Sequence, residues 1–140
     1  VTKNRTVRPW RETAPSLADF EEIAQAGFAT LPAPFRDACA GLLIRVADFA
    51  EEEVLDEMGI EDPYELTGLY TGVALTEKSV HDVPTEPDTV WLYRRPILDE
   101  WIERGNVTLH ELVVHVLVHE IAHHFGMDDD DIARIDDWRL

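Results

Sequence analysis

Between Val107 and Phe125 the sequence reads as one helix with almost no polar side. Thr108 and Glu111 have the spacing of a capping box, and Val107 with Leu112 that of a hydrophobic staple, so the helix starts there. From Leu109, the residues Leu112, Val113, Val114, Val116, Leu117, Val118, Ile121, Ala122 and Phe125 leave no wide face for water, the pattern of a helix buried in the middle of a domain. Other elements must cover it on every side, and each polar residue it carries needs a partner.

The rest of the chain supplies those elements. With 140 residues, 45% of them hydrophobic, it is long enough for one core that needs no staples. Residues 1–15 read as a loose basic arm and 16–140 as a single domain. Ser16 caps a first helix through Phe20, Ile23 and Ala24 that stops at Gly27. Pro32 and Pro34 open a short helix whose Phe35, Ala38 and Leu42 would face the core. Leu43–Phe49 reads as a strand, and Glu51–Met58 as an acidic helix stopped by Gly59. Asp62 and Pro63 make a capped turn leading into a second strand, Leu69–Leu75, where Gly68 and Gly72 point to an edge position or a close backbone approach. A polar loop from Thr76 to Pro87 precedes a third strand from Val90 to Arg94, and Pro96 opens a helix ending at Gly105. A last helix is expected over Ile132–Trp138. Three short strands among about five helices give an α+β domain.

Charge and composition exclude several functions. Twelve basic residues against 29 acidic ones leave a net charge of −17, which repels nucleic acid and anionic lipid. The single cysteine, Cys39, has no disulfide partner within the chain and no nucleophile signature around it, and is expected to be buried. Neither a secretory leader nor a membrane-spanning stretch is apparent, so a cytoplasmic protein is expected. The acidic clusters do not match the calcium-loop spacing.

The polar residues of the apolar helix are His115, His119, Glu120, His123 and His124. His119 and His123 stand one turn apart on one face, so both imidazoles can reach one metal ion at ~2.0–2.1 Å. Glu120 stands beside such an ion, where a carboxylate can take a proton from water. His115 and His123 are ~12 Å apart along the axis, too far to share an ion. His115 could pair with His119 only in place of His123, with Val116 where the base should be, and is better read as a core or supporting residue. His124 points roughly 140° away from His119 and is expected to be structural or solvated. His81 and His110 belong to no motif. Gly126 suits a left-handed helix stop, with Met127 making the accompanying contact. The turn brings back Asp128, Asp129, Asp130 and Asp131, any of which can ligate zinc while its neighbours cap the next helix.

The run His119-Glu120-Ile121-Ala122-His123-His124-Phe125-Gly126-Met127-Asp128-Asp129 matches HExxHxxGxxD and resembles the aspzincin and snapalysin-like branch of zinc metallopeptidases. With Leu66–Gly72 and Leu92–Pro96, the stretch from about 35 to 135 resembles the small bacterial minimal zincins. This resemblance implies a zincin-like fold, with a metal-binding helix at the centre under a small three-stranded sheet, and a bound zinc whose third ligand is Asp129. It also implies a peptidase acting on peptide or protein substrates with Glu120 as general base. Tyr70, Tyr93, Arg94 or Arg95 could supply a donor to the developing oxyanion. The second strand, if an edge, could accept an extended peptide. No Met-turn and no second lobe follow the motif, so the cleft would be open or completed by a protein partner. The alternative is a non-catalytic zinc-binding or adaptor domain on the same core, which would favour a fourth protein ligand from Asp128, Asp130 or His115.

Overall fold

The computed structural model describes residues 13–72 and 87–130. Expectations for the arm before residue 13, for the end of the second strand over 73–75, for the polar loop over 76–86 with His81, and for Asp131 with the last helix lie outside these residues. Helix α1 (Leu17–Ala29) starts as a capping box: Asp19 N–H donates to Ser16 Oγ (3.1 Å) and Ser16 N–H to the Asp19 carboxylate (2.8 Å). It buries Phe20, Ala24 and Gly27 along one stripe.

Gly27 does not end the helix. A Cβ there would lie 2.6 Å from Val114 Cγ2, so this glycine is a contact point where α1 meets the long apolar helix. In α2 (Ala33–Ala38) the expected inward face is also different: Phe35 is 52% exposed, lying edge-on to Phe125, and Ala38 is exposed. Six residues are too few to present a full apolar stripe, and the core contact passes to Cys39 and Leu42 just beyond the helix.

Strand β1 (Leu43–Ala47) leads to α3 (Glu52–Met58), which ends at Gly59 in the left-handed region (φ 70°). A 3-10 turn over Pro63–Glu65, capped by Asp62, delivers the chain into β2 (Gly68–Thr71). Strand β3 (Thr89–Tyr93) passes without a loop into α4 (Arg94–Arg104). That helix begins two residues before Pro96, whose position in the first turn lacks an intrahelical donor bond in any residue, so proline removes nothing. The indole of Trp101 donates to Val107 O (3.0 Å) and fixes the corner into α5 (Leu109–His124). The Thr108–Glu111 capping box of α5 forms as the sequence predicts.

The sheet order is β1-β3-β2. β1 runs parallel to β3, from Leu43 opposite Thr89 to Ala47 opposite Tyr93. β2 runs antiparallel to β3, from Gly68 opposite Leu92 to Thr71 opposite Thr89. β3 is therefore central and buried along most of its length, while β2 is an edge. Among the described residues, three strands in a mixed sheet with five helices make an α+β fold.

Helix α5 lies across the sheet and is flanked by α1 and α4. From Leu112 to Phe125 it has no exposed residue. Leu112, Val113, Val116, Leu117 and Ile121 join Phe20, Val90, Leu92 and Ile97 in one core. Burial of this order, at roughly 1.5–3 kcal/mol per large apolar side chain, holds the helix in place against the cost of the polar groups it carries.

Candidate metal centre

His119 and His123 project from α5 half-buried, with ring centroids 5.3 Å apart and planes inclined at 73°. The helix stops directly after them. Gly126 takes φ 86°, its N–H donates to His123 O (2.9 Å), and Met127 N–H donates to Ala122 O (3.1 Å). That pair of bonds is the Schellman motif, and it turns the chain back over the end of the helix. The return brings Asp129 Oδ1 to 3.3 Å from His123 Nε2 and 3.7 Å from His119 Nε2. One ligand atom from each of the three residues lies within 4.8 Å of the others.

These donors fit zinc. Four ligands at ~2.0–2.1 Å in a tetrahedron stand about 3.3 Å apart, close to the spacings between Asp129 and the two imidazoles. His123 is also oriented for the task. Its Nδ1 lies 2.9 Å from Met127 O, and a carbonyl can only accept, so Nδ1 carries a proton and Nε2 is the nitrogen turned toward the site for a metal. Asp129 itself is exposed, its side chain 84% accessible, and its place is set by the turn rather than by packing.

Glu120 is 8% exposed. Its carboxyl is pushed up to about 7, first by burial and then by the negative charge of Asp129, while a hydrogen bond from the Tyr70 backbone N–H opposes the rise. The sheet register explains that bond. Tyr93 N–H donates to Thr67 O (2.9 Å), making Thr67 and Tyr93 a hydrogen-bonded pair. Alternation along the antiparallel ladder makes Tyr70–Val90 a non-hydrogen-bonded pair, so Tyr70 N–H faces the free edge of β2. Gly68, two residues earlier on the same face, leaves room for α5: a Cβ would meet Val116 Cγ1 at 2.7 Å and Glu120 Cγ at 3.2 Å.

Other expected site residues are distributed differently. Tyr70 directs its hydroxyl to His124 Nδ1 (2.8 Å) and to Asp88, and its pKa rises to about 12 through burial and then Asp88. Arg94 binds Asp48 Oδ1 through Nε (2.6 Å) and Pro15 O through Nη1 (2.8 Å), so its guanidinium ties the start of α1 to the end of β1. Arg95 lies over the Phe49 ring, 5.6 Å from its centroid. Tyr93 is buried beside Ala50 and Leu55 and stacked on Trp91, and its pKa is raised to about 12 by burial, then by Glu120 and Glu51. Thus Tyr93 is near the Glu120 charge, whereas the Tyr70 hydroxyl and the Arg94 guanidinium are engaged elsewhere.

Among the described residues, His115, Asp128 and Asp130 do not join the three converging donors. His124 is buried (3% exposed) rather than solvated. Its environment was partly legible: it follows Glu120 by four residues, so whatever meets one meets the other. Asp88 carries no local motif and becomes visible only through the pairing of β2 with β3.

No helix among the described residues is long and apolar enough to cross a membrane. A comparison with curated proteins finds no match. The zincin-like metallopeptidase family model matches residues 39–139, which include the strands, the helix with His119 and His123, and Asp129. The family implies a metal, usually zinc, and the His119, His123 and Asp129 donors suit one. The chain belongs to the zincin-like metallopeptidase family.

Proposed function

We propose that the protein is a zinc-dependent peptidase in which His119, His123 and Asp129 hold the metal and Glu120 is the general base. The observation that carries this reading is a buried carboxyl beside three converging donors. Purely structural zinc sites are closed by four protein ligands, whereas three protein ligands are the number of catalytic sites. Among the described residues three converge.

Zinc bound there supplies Lewis acidity, which acidifies water and polarises a carbonyl oxygen. Glu120 takes the proton from the attacking water and delivers it to the leaving amine nitrogen. The Tyr70 N–H fixes one side of the Glu120 carboxylate, and the His123 Nδ1–Met127 bond keeps that imidazole aimed. Tyr93, with its pKa near 12, keeps its phenolic proton at neutral pH and is a donor that senses the Glu120 charge. An extended peptide lies along β2, whose Tyr70 N–H is already held by Glu120, with a protein partner supplying the second wall of the cleft.

The test is metal dependence. Zinc-loaded protein is expected to cut a diverse peptide mixture, read by mass spectrometry. Chelation should abolish the cuts, and one equivalent of zinc should restore them at the same bonds. Intact peptides with fully loaded protein would remove the reading of a peptidase that acts alone, and leave a zinc-binding domain or an enzyme that needs its partner.

A further inference from the structure

Helix α5 meets the edge strand along one stripe. Val116 lies against Gly68, Glu120 receives the Tyr70 N–H, and His124 lies 2.8 Å from the Tyr70 hydroxyl. These three helix residues are spaced by four, and the two strand residues by two, so the contacts repeat in step along both elements. At the far end the Tyr70 hydroxyl also hydrogen-bonds Asp88, whose Oδ2 is 3.7 Å from His124 Nδ1. Asp88 sits immediately before β3, and its carboxylate occupies the space that a Cβ on Gly72 would fill. One cluster therefore joins the end of β2, the start of β3 and the last turn of α5. It is largely shielded: His124 is buried and Tyr70 and Asp88 are half-buried, the His124 and Asp88 side chains being 4% and 14% accessible.

We propose that Tyr70, His124 and Asp88 form a clamp that positions Glu120, the Tyr70 hydroxyl holding the edge strand on the last turn of α5 so that the Tyr70 N–H stays on the carboxylate. None of the three touches a reacting atom; they are positioning residues. The same tyrosine makes both contacts, one through its backbone to Glu120 and one through its side chain to the next turn of the helix. Loss of the hydroxyl leaves the ring packed, removes the anchor that sets the distance between strand and helix, and takes one hydrogen bond from His124 and one from Asp88. The clamp rests on the reading of Glu120 as the base, but its geometric effect is measurable without any substrate.

The test compares wild type, Tyr70→Phe and a core control, Ile97→Val, all loaded with zinc alone. Ile97 is fully buried in the main core, so its truncation lowers stability without touching the clamp. Amide hydrogen exchange is followed at Tyr70 and, as internal reference, at Tyr93, whose N–H bonds Thr67 O. In Tyr70→Phe the Tyr70 amide is expected to exchange about tenfold faster relative to Tyr93, the scale of one weakened hydrogen bond. With a cleavable peptide, kcat should fall about tenfold at unchanged KM and zinc affinity, since the base is misplaced while ligands and binding surface remain. Equal acceleration of both amides, as expected in Ile97→Val, or an unchanged Tyr70 amide would overturn the clamp. If wild type cleaves nothing, the peptidase reading fails separately, and the amide ratio still decides the clamp.

Discussion

Gly68 faces Glu120 across the closest approach of strand β2 to helix α5: a Cβ on Gly68 would stand 3.2 Å from Glu120 Cγ and 2.7 Å from Val116 Cγ1. The carbonyl oxygen of Trp91, 3.1 Å away on the other side, leaves no room to retreat. Gly68→Ala is therefore expected to destabilise the fold by about 1–3 kcal/mol in denaturant unfolding, the cost of overpacking. Val116→Ala in the same chain removes the 2.7 Å contact, so the double variant should lose less stability than the sum of its two singles.

The turn at Gly126 sets both the Met127 carbonyl that orients His123 and the return of Asp129. Its φ of 86° strains any L side chain. Gly126→Ala should cost about 1–2 kcal/mol of stability. Because it also misaims two zinc donors, chelator competition should show zinc bound about 10- to 100-fold more weakly, as when an outer partner of a metal ligand is lost.

Asp129, as a proposed zinc ligand on an exposed turn, is the residue at which metal binding and folding should separate. Its side chain is 84% accessible, so Asp129→Ala should change the stability of the metal-free protein by no more than about 0.5 kcal/mol. Zinc affinity should fall at least about 10-fold in the same variant. His115→Ala should leave zinc affinity as it is, because His115 does not join the converging donors. Equal loss in both variants would point to a different ligand set.

Tyr70 and Tyr93 are both held near pKa 12 in the fold against an ordinary 10. A phenol whose folded pKa is raised contributes stability that is fully present below about pH 10 and is lost as pH rises toward 12. Phenolate absorbance should therefore lag in the native protein, with a late component that shrinks by one tyrosine in Tyr70→Phe and again in Tyr93→Phe. Unfolding midpoints should fall over pH 10–12.

Much of this site was legible in the sequence because it is local. The capping box at Thr108, the two histidines one turn apart and the stop at Gly126 all lie within one helix and its end, where spacing alone sets geometry. Edge strand β2 was readable from its glycines, though their reason was not: Gly68 is empty because Val116 and Glu120 pass over it. Gly27 misled for the same cause. A glycine inside a helix resembles a stop unless the neighbouring helix, here at Val114, is known. Arg94 and the Tyr70 hydroxyl looked available because nothing local binds them, yet their partners Asp48 and His124 are 46 and 54 residues distant in sequence. Such pairs exist only once the sheet has formed.

The most direct measurement compares peptide cleavage by the zinc-loaded protein and by Glu120→Gln at equal zinc content, read by mass spectrometry on a diverse peptide mixture. The variant keeps the size of the side chain and removes its basicity. Cuts made by wild type that vanish in Glu120→Gln, with zinc still bound, are the predicted result. Cuts that persist in the variant at the same rate would contradict Glu120 as the base.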